Sequence, residues 1–128
     1  MHTRIGFLGA LFVLLAGTPV AAQTHFSDLA PADEYFGRMK MSILGISNTI
    51  KDAGLHLDQG ADAMAVIDSL AFTEDAIHDW ERHYPRDPWI ARSLSALRSV
   101  YAKIPTERGA ACARRVALWL DHDFARSK

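Results

Sequence analysis

The sequence predicts an all-α protein: a four-helix domain of two antiparallel helical hairpins, following a cleaved N-terminal signal peptide. Three observations carry that expectation. Apolar residues recur at spacings of three and four, and no stretch alternates at two. Pro85 and Pro105 stand where two such stripes stop, and proline ends a helix because it lacks the N–H and clashes with the preceding turn. Asp87-Pro88 and Thr106 follow those prolines as N-cap signals for the next helices. A chain of 128 residues, 49% hydrophobic and 23% charged, fits one globular domain and not two.

The first element is the export signal, expected over residues 1–22. Arg4 is a positive n-region, and an apolar run follows from Ile5 to Ala16. Gly17, Thr18 and Pro19 break the run, and Val20-Ala21-Ala22 places small residues before Gln23. The run falls short of the roughly 20 residues a spanning helix needs, so no membrane span is expected after cleavage; an uncleaved signal anchor is the alternative. Leu15-Ala16-Gly17 is followed by Thr18 where a lipoprotein signal needs cysteine, and a twin-arginine pair is missing. The chain is therefore expected to be periplasmic or secreted. Residues 23–128 then form a single helical domain with one cysteine, Cys112, so no disulfide can staple it within a monomer. Its stability must come from helix packing, a bound ligand or self-association.

The first helix is expected over about 31–53, opened by Pro31 and closed by Gly54 as the C′ residue. Phe36, Met39, Ile43, Ile46 and Ile50 form one stripe, and Met41 and Leu44 a second, as in a largely buried helix. Gly37 and Gly45 would be interior glycines, each costing about 1 kcal/mol against alanine, which implies close backbone approach there. The second helix is expected over 61–84, with Val66, Leu70, Thr73, Ile77, Trp80 and Tyr84 on its inner face. The run Thr73-Glu74-Asp75 also allows a restart after a kink. The third helix, 88–104, carries Ile90, Leu94, Leu97, Tyr101 and Ile104. The fourth, 107–124, turns Cys112, Val116, Trp119 or Leu120, and Phe124 inward.

The corner Trp80-Glu81-Arg82-His83-Tyr84-Pro85-Arg86-Asp87-Pro88 joins two of these helices. With Leu94 and Tyr101 it resembles tetratricopeptide-like helical hairpins, closest to the variant of exported bacterial envelope proteins in which a helix ends in Tyr-Pro. A faint repeat at an offset of forty accompanies it: Trp80 meets Leu120, Glu81 Asp121, Tyr84 Phe124 and Arg86 Arg126. The resemblance covers about residues 61–128, with Thr73 where a small residue is usual and Ser95 where glycine is common. It implies a protein-binding scaffold and not a catalyst.

Charge is split along the chain. From Gln23 to Asp87 there are five Lys/Arg and twelve Asp/Glu, net −7; from Pro88 to Lys128 there are eight and three, net +5. The halves are expected to attract each other, within a monomer or across a homodimer. No long basic run is present, so nucleic acid is not an expected partner. No HExxH, CxxCH, G-x-S-x-G or phosphate-cradling glycine loop occurs, and the chain is read as neither an enzyme nor a cofactor carrier. Asp75, Asp79 and His83 share a helix face with metal-ligand spacing, while Met39 and Met41, two apart, diverge on a helix. The candidate site is a protein or peptide contact built from Arg86, Trp89, Arg92 and Arg98, because Trp and Arg dominate binding hot spots. The alternative is a bundle that takes a small ligand or metal between its first two helices, near Gly37, Gly45, Met39 and Met41.

Overall fold

The computed structural model describes residues 28–125. The signal peptide expected at 1–22 lies outside them. The described chain is all-α: four helices preceded by a minimal β-turn. In order they are β1 (Tyr35–Phe36), β2 (Met41–Ser42), α1 (Ile43–Asp58), α2 (Ala63–His83), α3 (Pro88–Ala102) and α4 (Glu107–Phe124). No described helix is long and apolar enough to cross a membrane.

The first helix departs from its expected limits. Residues 31–42 are not helical. Tyr35 pairs with Ser42 and Phe36 with Met41 in an antiparallel ladder. Gly37 (φ 71°) and Lys40 (φ 51°) turn the chain through the left-handed region. The reason lies forty residues downstream. The Gly37 N–H donates to Asp79 Oδ2 (2.8 Å) and the Arg38 N–H to Asp75 Oδ2 (2.9 Å), so α2 carboxylates take donors that a helix would bond internally. Close approach at Gly37 is real but belongs to this turn: a Cβ there would stand 2.8 Å from the Ala76 Cα. Phe36 is thereby buried and stacked on Trp80, ring centroids 6.0 Å apart.

Helix α1 starts at Ser42, whose side chain accepts from the Gly45 N–H, and it runs through Gly54 to Asp58. Gly54 is therefore buried inside the helix and is not its C′ residue. The left-handed turn falls on Gly60 (φ 84°) instead. Met39, expected in the stripe, is 60% exposed, while Ile46 and Ile50 are buried. Helix α2 is capped by Asp62 and passes Thr73 without a break. Asp87 caps α3 with Pro88 in its first turn; α3 ends at Ala102, two residues before the expected limit, ahead of Pro105. Thr106 caps α4.

The inner faces meet as spaced: Val66, Leu70, Thr73, Ile77 and Trp80 of α2, with Ile90, Leu94, Leu97 and Tyr101 of α3 and Ile104 just beyond it, are buried. Val116 and Cys112 close the core from α4, and Trp119, Leu120 and Phe124 pack half-buried against it. The ion pairs Asp68–Arg108 (3.0 Å) and Glu74–Arg115 (2.6 Å), and the Trp119 Nε1–H to Glu81 bond (2.7 Å), occur in the same order along α2 and α4. These two helices therefore run parallel. Asp58 meets Lys103 (3.0 Å) at the C-terminal ends of α1 and α3, which also run side by side. Three of these ion pairs join the acidic first half to the basic second half, so much of the charge split is satisfied within one chain.

Candidate binding groove

The corner between α2 and α3 is organised by one buried carboxylate. Asp87 is 1% exposed. Its Oδ1 accepts the Trp89 N–H (3.0 Å), the ordinary N-cap bond. Its Oδ2 accepts the Trp80 indole N–H (3.0 Å) and the Ala30 backbone N–H (3.0 Å). The first two bonds tie the ends of α2 and α3 together. The third pins the strap of residues 28–34 across the corner. Arg86 adds an ion pair to Asp28 (2.8 Å), and the Tyr84 hydroxyl donates to Glu34.

The pinned strap becomes one wall of a groove of about 480 Å³ between α1 and α3. Leu29, Ala30 and Ala32 come from the strap, Ile43, Leu44, Ser47 and Ile50 from α1, and Trp89, Arg92, Ser93 and Ala96 from α3. A second hollow of about 390 Å³ shares Ser47, Ile50 and Ala96 and continues past Lys51 and Leu55 to the Asp58–Lys103 pair. Leu44 is 68% exposed, Trp89 51% and Leu55 48%. The Arg92 guanidinium lies over the Trp89 ring, 4.7 Å from its centroid.

Two of the four residues expected in the site, Trp89 and Arg92, come together here. Arg86 serves the strap through Asp28 and does not line the groove. Arg98 is exposed on α3 and lines neither the groove nor its continuation. The sequence reading missed the α1 half, Leu44, Ser47 and Ile50, and the strap. The available signal was that Leu44, Ser47, Lys51 and Leu55 fall at spacings of three and four, a second face of the same helix.

The face of Asp75, Asp79 and His83 has a different occupation. Asp79 Oδ1 faces Arg82 (2.7 Å) and His83 (3.5 Å) while its Oδ2 holds Gly37. The Gly37 N–H, with Arg82, keeps the Asp79 carboxyl below its ordinary range. Asp75 takes the Arg38 N–H and side chain. Both carboxylates are thus committed to the β-turn. Among the described residues no group of three or more His, Cys, Asp or Glu is placed to hold a metal ion.

A polar cluster fastens the end of α4 to α2. The His78 ring stacks on Trp119 at 3.7 Å with 9° between planes. Burial lowers the His78 pKa, outweighing the carboxylates around it. Glu81 accepts the Trp119 indole N–H; desolvation raises its pKa, and Asp123 raises it further. The His122 hydrogen bond holds Asp123 low. Deeper along the same interface Glu74 accepts from the Tyr101 hydroxyl and from Arg115. Burial and that bond push the phenol far above its usual range. Neither the groove nor the hollow that continues it opens on this cluster. Compared with protein families, curated proteins and solved structures, the chain matches none of them.

Proposed function

We propose that this chain is an exported, non-enzymatic binding module, of the kind its resemblance to tetratricopeptide-like hairpins implies, and that it holds an apolar segment of another protein in the α1–α3 groove. One observation carries the reading: Leu44 and Trp89 stand largely exposed on either side of a preformed apolar groove. Large apolar side chains gathered at one concavity mark binding sites, whereas single exposed ones are ordinary. The strap supports it further, because Asp87 fixes that wall before any partner arrives, and preorganisation lowers the ordering cost of binding. The parallel side-by-side placement of α1 and α3 also agrees with a stack in which first helices of successive hairpins share one face.

The test is site-specific photo-crosslinking in cells, with a photoreactive residue at Leu44, Trp89 or, as a control on the far side, Leu118. The expected result is one protein adduct from the first two positions, absent at Leu118 and lost on adding Leu55→Asp. The same adducts from all three positions, or none from Leu44 and Trp89, would refute the reading.

A second reading keeps the groove and changes its occupant to a small apolar ligand. The volume favours it, lying within the ~300–1,000 Å³ range of small-molecule pockets. Native mass spectrometry of the purified protein decides: a bound mass of a few hundred daltons, lost in the Leu44→Asp variant, would favour the small ligand.

A further inference from the structure

We propose, building on the binding-module reading, that the groove selects an acidic amphipathic segment of its partner protein: apolar side chains on the floor, carboxylates against Arg92 and Lys51. The floor is Ile43, Ile50 and Ala96, with Leu44 and Trp89 as its sides. Among the described residues the only ionisable side chain lining this part is Arg92. Its guanidinium is stacked on Trp89 and forms no ion pair among the described residues. Most described arginines differ: Arg82, Arg86, Arg108, Arg114 and Arg115 each have a carboxylate oxygen within 3.0 Å and Arg38 has one at 3.5 Å, while Arg98, outside the groove, makes no ion pair among the described residues either.

Lys51 lines the continuation of the groove, and it too makes no ion pair among the described residues. The single carboxylate of the groove, Asp58, is held by Lys103. Among the described residues the groove is therefore apolar along its base, with two uncompensated cations on opposite helices and no lining acid free to answer them. Ser47 and Ser93 add hydroxyls between the cations. A stacked guanidinium keeps its planar fork open for a carboxylate, which makes Arg92 the more selective of the two contacts.

Exposed charges contribute little affinity individually, so Leu44 and Trp89 supply the binding and the cations supply the choice of partner. A second copy of this chain is a poor source of the carboxylates. Asp58, Asp68, Glu74, Asp75 and Asp79 are already in ion pairs, and Asp62 and Asp87 are caps; the exposed carboxylates left without an ion pair among the described residues, Asp33, Asp52 and Asp121, are scattered over the strap, α1 and α4.

The test uses the purified protein and three labelled 16-residue amphipathic peptides. They share one Leu/Phe stripe and carry Glu, Gln or Lys at every polar position. Binding is read by fluorescence anisotropy, with circular dichroism confirming that each variant is folded. The Glu peptide is expected to bind saturably and about tenfold tighter than the Lys peptide, the Gln peptide falling between. The double variant Lys51→Glu/Arg92→Glu is expected to invert that order, and Leu44→Asp to remove binding of all three. Equal binding of the three peptides, abolished by Leu44→Asp, would overturn the acidic preference and leave the binding-module reading standing. Failure of the Glu peptide to saturate below ~1 mM, or binding indifferent to Leu44→Asp, would overturn both. Two further outcomes overturn the occupant alone: a dimer in sedimentation equilibrium that Leu44→Asp dissociates, or laurate displacing the Glu peptide at lower concentration than unlabelled peptide does.

Discussion

Replacing Asp87 with alanine removes three hydrogen bonds through one side chain, and the cost can be built from its parts. Loss of the α3 N-cap costs about 1 kcal/mol. The Trp80 indole N–H is left inside a fully buried ring with no acceptor, which costs about 1–3 kcal/mol. The Ala30 N–H is half-buried and can turn to water, so its share is at most about 1 kcal/mol. The sum is about 2–5 kcal/mol, a large fraction of the ~5–15 kcal/mol that holds a domain together. For a domain of this size each kcal/mol moves the melting temperature by about 4–8 °C, so a fall of at least about 8 °C is expected. The assay is thermal and urea unfolding followed by circular dichroism, the urea slope showing whether the transition stays two-state. Asp87→Asn keeps an acceptor oxygen and should lose much less. Trp80→Phe in the Asp87→Ala background should cost less than the two changes summed, because the orphaned donor is then gone. A loss of about 1 kcal/mol for Asp87→Ala, the cap alone, would refute the role given to the other two bonds.

Four other expectations follow from particular atoms. Gly54→Ala should stabilise by about 0.5–1 kcal/mol, since the new Cβ in a helix interior meets the Val100 Cγ2 at 3.5 Å and the Lys103 Nζ at 3.8 Å, both ordinary van der Waals contacts; a destabilised variant would contradict this. Gly37→Ala should destabilise by about 2 kcal/mol or more, because φ is 71° and the Cβ would press on the Ala76 backbone; urea midpoints of the two variants should move in opposite directions. Thr73 Oγ1 is buried without a hydrogen-bond partner among the described residues, so Thr73→Val should raise stability by about 1 kcal/mol, and a lower melting temperature would show the hydroxyl to be satisfied. The His78 pKa is depressed in the folded protein, so the unfolded chain binds the proton first; stability should be full above about pH 6.5 and fall as pH drops through the window beneath, and His78→Gln should flatten that part of the curve, an unchanged slope refuting it.

Three of the four helices were legible to within two residues because their limits are written locally. Pro85, Asp87-Pro88 and Pro105-Thr106 end and start helices whatever surrounds them. The start of α1 is written elsewhere. Nothing between Pro31 and Ser42 forbids a helix strongly enough to show in the sequence. The decision is made by Asp75 and Asp79, which take the N–H groups of Gly37 and Arg38 only once α2 is in place. The glycine that ends α1 shows the same limit. Gly54 and Gly60 both offer a left-handed residue, and Gly54 stays helical because it is buried facing Val100 of α3. The groove was half legible for the same reason. Trp89 and Arg92 share one helix with the corner that drew attention to them, whereas Leu44 reaches Trp89 only through the packing of α1 on α3.

The corner of Trp80 to Ser93 divides its residues between two tasks, and that division explains why one short stretch holds so many aromatic and cationic side chains. Trp80, Tyr84, Arg86 and Asp87 face inward or toward the strap, and each bonds there through a side-chain polar atom. Trp89 and Arg92, one turn further on, face the groove. The two tasks are linked through residues 28–34, since the bonds that stabilise the corner also hold the groove wall. Asp87 variants should therefore weaken binding at temperatures where they remain folded, through a loosened strap. Trp89→Ala should weaken binding while leaving the melting temperature within about 2–3 °C of the parent, because a half-exposed side chain contributes little to the core. If both substitutions moved binding and stability by the same proportion, the groove would have no identity apart from the fold, and the assignment of Trp89 to partner contact would fail.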